Sequence, residues 1–239
     1  LQPDKKYTGA AWYRKKVTIP EKWEGKTVWL NLERPHWEST VWVNGAKVDT
    51  QNSLATPHVF DISEYLFIGE NSISVCIDNR TKAVDVGWNS HSITDHTQSN
   101  WNGIVGDISL STADVIYFEH VSVFPDIKKQ TVHIRAIVQN TTMKDVPVNI
   151  EVETEHFQTE VETPEKFYEF TISPGESIVK MSYPMEGNAQ LWDEFNPNVY
   201  ELLLEMRYDD GEDVKRIDFG FREFKANSKR FRPKVGSLF

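Results

Sequence analysis

The sequence predicts an all-β protein made of two consecutive β-sandwich domains. Apolar and polar residues alternate with a period of two along most of the chain, which is the pattern of half-buried strands. No helical stripe of apolar residues continues over three turns. Turn signals such as Asn44-Gly45, Ser173-Pro174-Gly175 and Asp209-Asp210-Gly211 separate the apolar runs. Short strands at near-regular spacing are typical of β-sandwiches.

The first domain is predicted over residues 1–113, with seven or eight strands. Its apolar runs lie at residues 17–19, 28–32, 41–43, 46–48, 73–77 and 104–110. Asn44-Gly45 predicts a type I′ hairpin between two of these runs, because both central residues of that turn need a positive φ. Residues 61–66 are predicted to form a single capped turn.

The second domain is predicted over residues 114–224, with seven strands. Val132, Ile134, Ala136 and Val138 alternate with more polar residues, which gives one buried face and one mostly solvated face. Further runs lie at residues 146–152, 167–172, 178–183, 200–206 and 214–219. This pattern predicts an immunoglobulin-like β-sandwich, and the absence of a cysteine pair makes it a relative without the inter-sheet disulfide.

Composition excludes several classes of function. The net charge of −10 argues against a general nucleic-acid binder, and no apolar run of about 18 residues predicts a membrane span. Cys76 is the only cysteine and lies in an apolar run, so it is interpreted as a small buried side chain. One cysteine offers neither a disulfide nor a zinc cluster. No metal or cofactor is predicted, and the compartment stays open, with a periplasmic or extracellular location preferred.

Both chain ends suggest a connection to something longer. The chain begins at Leu1 without an apolar leader, so either a leader was removed or the sequence is part of a longer protein. After Glu223 the tail carries Lys225, Lys229, Arg230, Arg232 and Lys234 and no acidic residue. Residues 225–239 are interpreted either as a solvated end or as a linker toward a further domain.

A long segment between residues 79 and 103 shows little alternation. Loops of more than about 15 residues are usually functional or disordered. This one contains Trp88, His91, His96, Gln98 and Trp101, and disordered segments are generally poor in aromatic residues. It is therefore predicted to be ordered and exposed along one rim of the first sandwich.

Several motifs together resemble glycoside hydrolase family 2, which includes β-galactosidases, β-glucuronidases and β-mannosidases. In the first domain they are Ala11-Trp12-Tyr13-Arg14-Lys15-Lys16, Val41-Trp42-Val43-Asn44-Gly45, Phe60-Asp61-Ile62-Ser63, Gly69-Glu70-Asn71 and Trp101-Asn102-Gly103-Ile104 with Asp107-Ile108-Ser109-Leu110. In the second domain they are Leu191-Trp192, Asn196-Pro197-Asn198-Val199-Tyr200 and Phe219-Gly220-Phe221-Arg222-Glu223. The resemblance implies a jelly-roll, galactose-binding-like domain followed by the immunoglobulin-like domain.

The resemblance also implies where the chemistry lies. Members of the family hydrolyse β-glycosides with retention, using two Glu residues about 5–5.5 Å apart in a TIM barrel that follows the Phe-Gly-Phe-Arg-Glu motif. Sixteen residues follow Glu223 here, whereas a barrel needs about 250. No catalytic residue is therefore expected in this chain. Glu151, Glu153 and Glu155 alternate along one strand and are interpreted as a solvent face rather than as a catalytic pair.

The resemblance implies a sugar contact within the long segment. Relatives place an acidic residue shortly before the Gly-Ile of the closing strand, a position occupied here by Thr97, and Gly106 replaces the family's Arg. His96, Gln98, Asn100 and Trp101 are candidate substitutes, because amides bind hydroxyl groups and Trp stacks on a pyranose face. In the alternative interpretation Trp101 packs into the sandwich and His96 is a surface residue.

A second candidate cluster is Glu33-Arg34-Pro35-His36-Trp37-Glu38. Glu33, Arg34, His36 and Trp37 are interpreted as a rim facing the catalytic barrel. In the alternative, Glu33 and Arg34 form an ordinary salt-linked pair and Trp37 is a core residue.

The leading hypothesis is the non-catalytic front segment of a family 2 β-glycosidase, inactive alone. Its expected partners are a C-terminal TIM barrel and a carbohydrate bound only weakly in isolation, and homo-oligomerisation of the full-length enzyme stays open. The rival hypotheses are a free-standing carbohydrate-binding or adhesion module and a structural spacer. An acid-free basic tail after a linker-like exit argues against a self-sufficient module.

Overall fold

The computed structural model describes residues 7–54, 56–80, 102–157, 164–187, 189–209, 211–226 and 231–234. The chain divides into two compact units, residues 1–113 and 114–239. Strands dominate both, and the described helices are two short 3-10 turns, Glu21–Trp23 and Ser63–Tyr65. Within these ranges no helix combines the length and apolarity that a membrane crossing requires.

The first unit is a sandwich of antiparallel sheets. Its strands are β1 (Ala10–Ile19), β2 (Thr27–Leu32), β3 (Pro35–His36), β4 (Glu38–Val43), β5 (Ala46–Asn52), β6 (His58–Asp61), β7 (Gly69–Asp78), β8 (Gly103–Ile104) and β9 (Ile108–Ala113). The four-stranded sheet has the order β1-β7-β4-β5 and the three-stranded sheet has the order β6-β2-β9. β3 and β8 form a separate two-stranded ladder. The core between the sheets contains Leu32, Val41, Val43, Phe60 and Ile77.

The Asn44-Gly45 turn has the predicted conformation. Asn44 has φ 51° and Gly45 has φ 86°, and Val43 pairs with Ala46 on either side of them. Two consecutive positive φ angles are the signature of the type I′ turn, whose twist matches that of the flanking strands. The sequence prediction of this hairpin is confirmed.

An amide clasp holds that turn against the rest of the unit. Asn44 Nδ2 donates to the Tyr65 carbonyl oxygen at 2.9 Å and to Asn71 Oδ1 at 2.8 Å, and Asn44 Oδ1 accepts from Ser72 N at 2.9 Å. Asn71 is buried, and its own Nδ2 donates to the Phe67 carbonyl oxygen at 2.6 Å. The two asparagines therefore join the β4–β5 turn, the second 3-10 turn and the start of β7.

The second unit is the predicted seven-stranded sandwich, followed by a hairpin. Its strands are β10 (Ile116–Asp126), β11 (Thr131–Asn140), β12 (Val146–His156), β13 (Lys166–Ile172), β14 (Gly175–Pro184), β15 (Val199–Tyr208), β16 (Gly211–Gly220), β17 (Glu223–Ala226) and β18 (Phe231–Lys234). The sheets have the orders β10-β11-β14 and β13-β12-β15-β16, and β17 pairs with β18. Tyr200 and Phe219 stack in the core at 5.5 Å between ring centroids. The prediction of an all-β chain with an immunoglobulin-like second sandwich is confirmed.

The Leu-Trp and Phe-Gly-Phe-Arg motifs meet at the end of β16. The Arg222 guanidinium lies 4.5 Å from the centre of the Trp192 ring, and Trp192 N donates to the Phe221 carbonyl oxygen at 3.2 Å. A Cβ on Gly220 would stand 3.0 Å from the same ring. Beyond this contact β17 and β18 pair within the part of the chain that was expected to be a linker.

Candidate functional site

The short ladder between β3 and β8 joins the predicted cluster around His36 to the chain that follows Asn102. Pro35 pairs with Ile104 and His36 pairs with Gly103. We call the region formed by residues 33–36, 78–80 and 102–107 the β3–β8 corner. The structure describes the chain up to Arg80 and again from Asn102, so the residues that flank the long segment 81–101 belong to the corner.

Glu33 and Arg34 form one side of the corner and are fixed to the chain after β8. Glu33 N donates to the Asp107 carbonyl oxygen at 3.0 Å, and Asp107 N donates to Glu33 Oε2 at 2.8 Å. Arg34 Nε donates to the Val105 carbonyl oxygen at 2.9 Å, and Val105 N donates to the Arg34 carbonyl oxygen at 3.0 Å. Arg34 Nη2 lies 3.3 Å from Glu33 Oε1. The salt-linked pair considered from sequence is present, and it also positions the turn that follows β8.

Gly106 explains one departure from the family pattern. Its φ is 122°, a conformation that favours glycine, and a Cβ there would collide with Glu33 Oε2. The space next to this residue is therefore filled by the Glu33 carboxylate. A larger side chain such as Arg does not fit here while Glu33 keeps its bond to the Asp107 amide.

His36 and Asn79 meet at the Asn102 side chain. His36 is buried, with 8% of its surface exposed, and its Nδ1 lies 3.3 Å from Asn102 Oδ1. Asn79 Nδ2 donates to the same oxygen at 2.6 Å. Because this amide oxygen is an acceptor, the His36 nitrogen that faces it carries the proton. The two donors together fix the orientation of the Asn102 amide at the point where the long segment ends.

Asp78 and Arg80 form a charged pair immediately before the long segment. Arg80 Nε lies 2.9 Å from Asp78 Oδ1 and Arg80 Nη2 lies 2.5 Å from Asp78 Oδ2, while Arg80 N donates to Asp78 Oδ1 at 3.0 Å. Asp78 is buried at the end of β7. The hydrogen bond to Asp78, and after it the attraction of that carboxylate, raises the pKa of Arg80 above its ordinary value.

The structure describes only some of the residues predicted as sugar contacts or as the rim. His96, Thr97, Gln98, Asn100 and Trp101 lie outside the described residues. Glu33, Arg34 and His36 lie in the corner. Trp37 is 5% exposed, which is the core placement that the sequence had left as its alternative.

Sequence reasoning did not select Asp78, Asn79 and Arg80. The sequence feature that could have drawn attention to them is that three polar residues follow directly after the apolar strand that ends at Ile77. That run predicts the end of a strand, but it does not indicate that Asn79 reaches Asn102 across the unit.

The outer face of β12 carries the acidic residues that alternate along that strand. Glu151 and Glu153 are half-buried, Glu155 is exposed, and Glu151 Oε2 lies 3.1 Å from Arg207 Nη1. The interpretation of these three residues as an outward face is confirmed. Carboxylate oxygens of Glu151, Glu153 and Glu165 lie within 4.8 Å of one another. Burial, and after it the Glu151 carboxyl, raises the pKa of Glu153 above its ordinary value. No further feature points to an ion, so we assign no metal to this acidic cluster.

Cavities are also present away from the corner, within the described part of the chain. One of about 350 Å³ lies in the first unit and is lined by Val48, Asp49, Gln51, Val59, Phe60, Asp61, Glu64 and Tyr65. One of about 550 Å³ lies in the second unit and is lined by Pro147, Val148, Asn149, Glu169, Phe170, Thr171, Arg207, Tyr208 and Asp209. Neither is lined by Glu151, Glu153 or Glu165, so the acidic cluster is not enclosed by either cavity.

The fold and the corner define a class of protein: a jelly-roll sandwich with a polar corner beside its closing strand, followed by an immunoglobulin-like sandwich. Family models identify both halves. The model for the glycosyl hydrolases family 2 sugar binding domain matches residues 2–114, and the glycosyl hydrolases family 2 model matches residues 116–222. The chain belongs to glycoside hydrolase family 2, as the sequence motifs predicted.

Named relatives agree with this assignment. The chain is 24% identical over 225 residues to a β-galactosidase of Streptococcus thermophilus. The matched region covers 91% of this chain and 20% of that protein. It is 26% identical over 161 residues to a β-glucuronidase of Formosa agariphila, covering 64% of this chain and 16% of that protein. The crystal structure of a glycosyl hydrolase family 2 member from Bacteroides cellulosilyticus has the same fold, with a TM-score of 0.78 and 22% identity over 95% of this chain and 28% of that one. The chain thus spans a fifth or less of the length of these two curated relatives.

Proposed function

We propose that this chain is the non-catalytic N-terminal part of a retaining family 2 β-glycosidase and that its β3–β8 corner forms part of the active-site rim. The observation that carries the proposal is the convergence of Glu33, Arg34 and His36 with Asn102 at the base of the long segment. The described chain that follows the candidate sugar contacts of the long segment therefore lies beside the Glu33–His36 cluster, which supports a shared role for the two regions. The rest of the enzyme supplies the catalytic barrel and the two Glu residues that retention requires.

The corner is suited to hold a sugar hydroxyl because its polar groups are fixed in advance. Asn102 Oδ1 is held by His36 and Asn79, so the orientation of the amide is set before a ligand arrives. Arg34 is held by its bond to Val105 and by Glu33. Groups whose rotamers are already fixed lose little conformational entropy on binding, so a contact with them has a defined geometry and a small ordering cost.

The long segment supplies the remaining contacts in this proposal. Gln98 and Asn100 donate and accept hydrogen bonds at sugar hydroxyls, and Trp101 stacks on a pyranose face. Thr97 occupies the position of the acidic residue of relatives, and in this proposal the neighbouring His96 is a candidate substitute for that carboxylate. A neutral hydrogen bond stabilises by about 0.5–1.5 kcal/mol net, so the rim adjusts substrate position more than it adds affinity.

The isolated chain is expected to hydrolyse no aryl β-glycoside. Retaining hydrolysis needs an acid/base and a nucleophile about 5–5.5 Å apart across the scissile bond. Glu151 and Glu153 lie on the outer face of β12, Glu165 directly precedes β13, and Glu151 is paired to Arg207. Fluorogenic β-galactosides and β-glucuronides test the expectation. Turnover that survives repurification and disappears in a Glu153→Gln variant would overturn it.

The rim role is tested in the longer protein that the gene encodes. His36→Ala should raise KM for an aryl β-glycoside several-fold and change kcat less, because the corner orients the sugar and takes no part in bond cleavage. His120→Ala, at an exposed position of the second unit, is the matched control. If the reading frame encodes no barrel, or if His36→Ala leaves KM unchanged in a folded enzyme, the proposal is wrong and the free-standing carbohydrate-binding module is favoured.

A further inference from the structure

Two tryptophans from the family motifs lie together on the outer face of the four-stranded sheet of the first unit. The Trp12 and Trp42 ring centroids are 4.8 Å apart, with 35° between the ring planes. Trp12 is 62% exposed, whereas Trp42 is half-buried. Trp42 therefore backs one side of the Trp12 indole and leaves most of its other side in solvent. An indole held this way is a rigid, flat, water-exposed platform.

Register places polar side chains around this platform. Trp12 is in the same cross-strand row as Cys76, Thr40 and Thr50, and the Thr40 and Thr50 hydroxyl oxygens are 2.9 Å apart. Cys76 was expected to be a small buried side chain, and it is half-buried in this row. The next row along the sheet contains Arg14, Ser74, Trp42 and Lys47. Two rows on one face lie about 7 Å apart, so Arg14 is the immediate neighbour of Trp12 on β1.

Arg14 has an orientation suited to an anion. Its Nε donates to Ser74 Oγ at 3.0 Å, which holds the guanidinium on the same outer face as the two indoles. Within the described part of the chain no partner is found for its two terminal nitrogens. Lys47, in the row of Trp42, is exposed as well, whereas Lys16 is paired with Glu70 at 2.8 Å. The acidic side chains that share this face in the register lie away from Arg14 or have another partner. Glu38 lies beyond Thr40, on the opposite side of Trp12 from Arg14, Glu70 pairs with Lys16, and Asp78 pairs with Arg80.

We propose that Trp12 is a binding platform for a pyranose that carries a carboxylate, with the sugar face stacked on the indole and the carboxylate paired with Arg14. The apolar C–H face of a pyranose matches one indole in size. A planar guanidinium binds a carboxylate through two parallel hydrogen bonds. A protein partner needs about 800 Å² on each side, whereas this platform is one indole bordered by hydroxyls and charges. A small polyhydroxylated anion is the better match.

The proposed Trp12 site shares no contact residue with the β3–β8 corner. In one titration, shifts of the Trp12 and Arg14 resonances report binding at this site and not at the corner. Methyl β-glucuronide and methyl β-glucoside differ only at C6, so the pair isolates the contribution of the carboxylate. Each is titrated into the 239-residue chain while the indole N–H and arginine side-chain resonances are followed. We expect a dissociation constant of millimolar order for the glucuronide, the range one stacked ring and a few hydrogen bonds support, and several-fold weaker binding of the glucoside.

Variants test each contact separately. Trp12→Ala should weaken glucuronide binding at least tenfold, and Arg14→Gln should remove the preference for glucuronide over glucoside while leaving glucoside binding unchanged. Phe67→Ala removes a comparably exposed aromatic side chain elsewhere in the unit, 56% exposed, and should change neither affinity. Saturation at about 10 mM without any shift at Trp12 would overturn the proposal, as would an unchanged affinity in Trp12→Ala or equal weakening in Phe67→Ala.

Discussion

At the residue scale, His58 is a buried histidine with a partner for each ring nitrogen. Its Nε2 lies 3.1 Å from the Ser53 carbonyl oxygen, which only accepts, so Nε2 carries the proton. Its Nδ1 then accepts from the Ser39 hydroxyl, and Ser39 is fully buried. Both contacts suit the neutral ring. Burial lowers the pKa of His58 below its ordinary value of 6.5, and the hydrogen bond to Ser53 opposes that shift.

This arrangement predicts that acidification destabilises the first unit. Between the lowered folded pKa and 6.5 the unfolded chain binds more protons at His58 than the folded chain does, so the free energy of unfolding rises with pH through that window. In His58→Gln this part of the pH dependence should disappear, as followed by urea denaturation from about pH 5 to 7. His120→Gln, at an exposed position, is the control. An unchanged slope in His58→Gln would contradict the prediction.

Gly106 is a second position where one residue type is required. Gly106→Ala should lower the free energy of unfolding by about 1–3 kcal/mol, because the φ of 122° is unfavourable for alanine and the new Cβ meets Glu33 Oε2. Gly45→Ala is the matched control, since Gly45 has φ 86° but no atom within 4 Å of the place its methyl group would take. The loss at Gly106 should exceed that at Gly45. Adding Glu33→Ala to Gly106→Ala should recover part of the loss, and strict additivity would show that the two groups do not collide.

At the element scale, the clustered carboxylates on the outer face of β12 oppose the folding of the second unit. Glu151 is directly opposite Glu205 in the β12–β15 ladder, and Arg207 contacts both of them. Glu153 lies one row further along, and burial together with the neighbouring Glu151 raises its pKa. A carboxyl whose pKa is higher in the folded state than in the unfolded state opposes folding when it is ionised.

Glu153→Gln should therefore stabilise the second unit at neutral pH. The unfavourable contribution of Glu153 is fully present above its folded pKa and fades as pH falls toward its ordinary value of 4.5. The variant should have the higher melting temperature at pH 7, and the difference should shrink near pH 4.5. Glu155→Gln, exposed two residues further along the strand, controls for removal of one charge. A lower melting temperature of Glu153→Gln at pH 7 would contradict this account.

The strands and the hairpin turn were predictable from the sequence, whereas the β3–β8 corner was predictable only in part. The β12 faces and the Asn44-Gly45 turn were predictable because period-two burial and positive φ angles depend on neighbouring residues. The corner was only partly predictable, because Glu33 and Asp107 are 74 residues apart and meet through the pairing of β3 with β8. For the same reason the role of Asn79 could not be read from its neighbours. Its partner Asn102 is reached only once the sheets are packed.

At the scale of the whole molecule, each unit has a hydrophobic core of its own. The core of the first unit is formed by residues between Val28 and Ile77, and the core of the second by residues between Ile116 and Phe221. The described core clusters share no residue. A domain of about 110 residues buries enough of its surface to fold without disulfides or metals.

The two sandwiches are therefore expected to fold as separate cooperative units. Fragments 1–113 and 114–224 should each give a β-type circular dichroism spectrum and a single thermal transition. If both are independent, the intact chain should show transitions close to those of the two fragments. Failure of both fragments to fold would mean that the boundary after Ala113 does not separate autonomous domains.

The Asn44-Gly45 turn also has a chemical consequence for how the protein ages. In flexible peptides the nitrogen of a glycine that follows asparagine attacks the side-chain carbonyl, and the asparagine is slowly converted to aspartate or isoaspartate. Here that side chain is held by Tyr65, Asn71 and Ser72, so cyclisation requires all three contacts to open first. If conversion does occur, aspartate presents an oxygen where an N–H group faced two acceptors. Deamidation at residue 44 should therefore be slow in the folded protein and fast after unfolding, which makes isoaspartate at this position a chemical record of past unfolding.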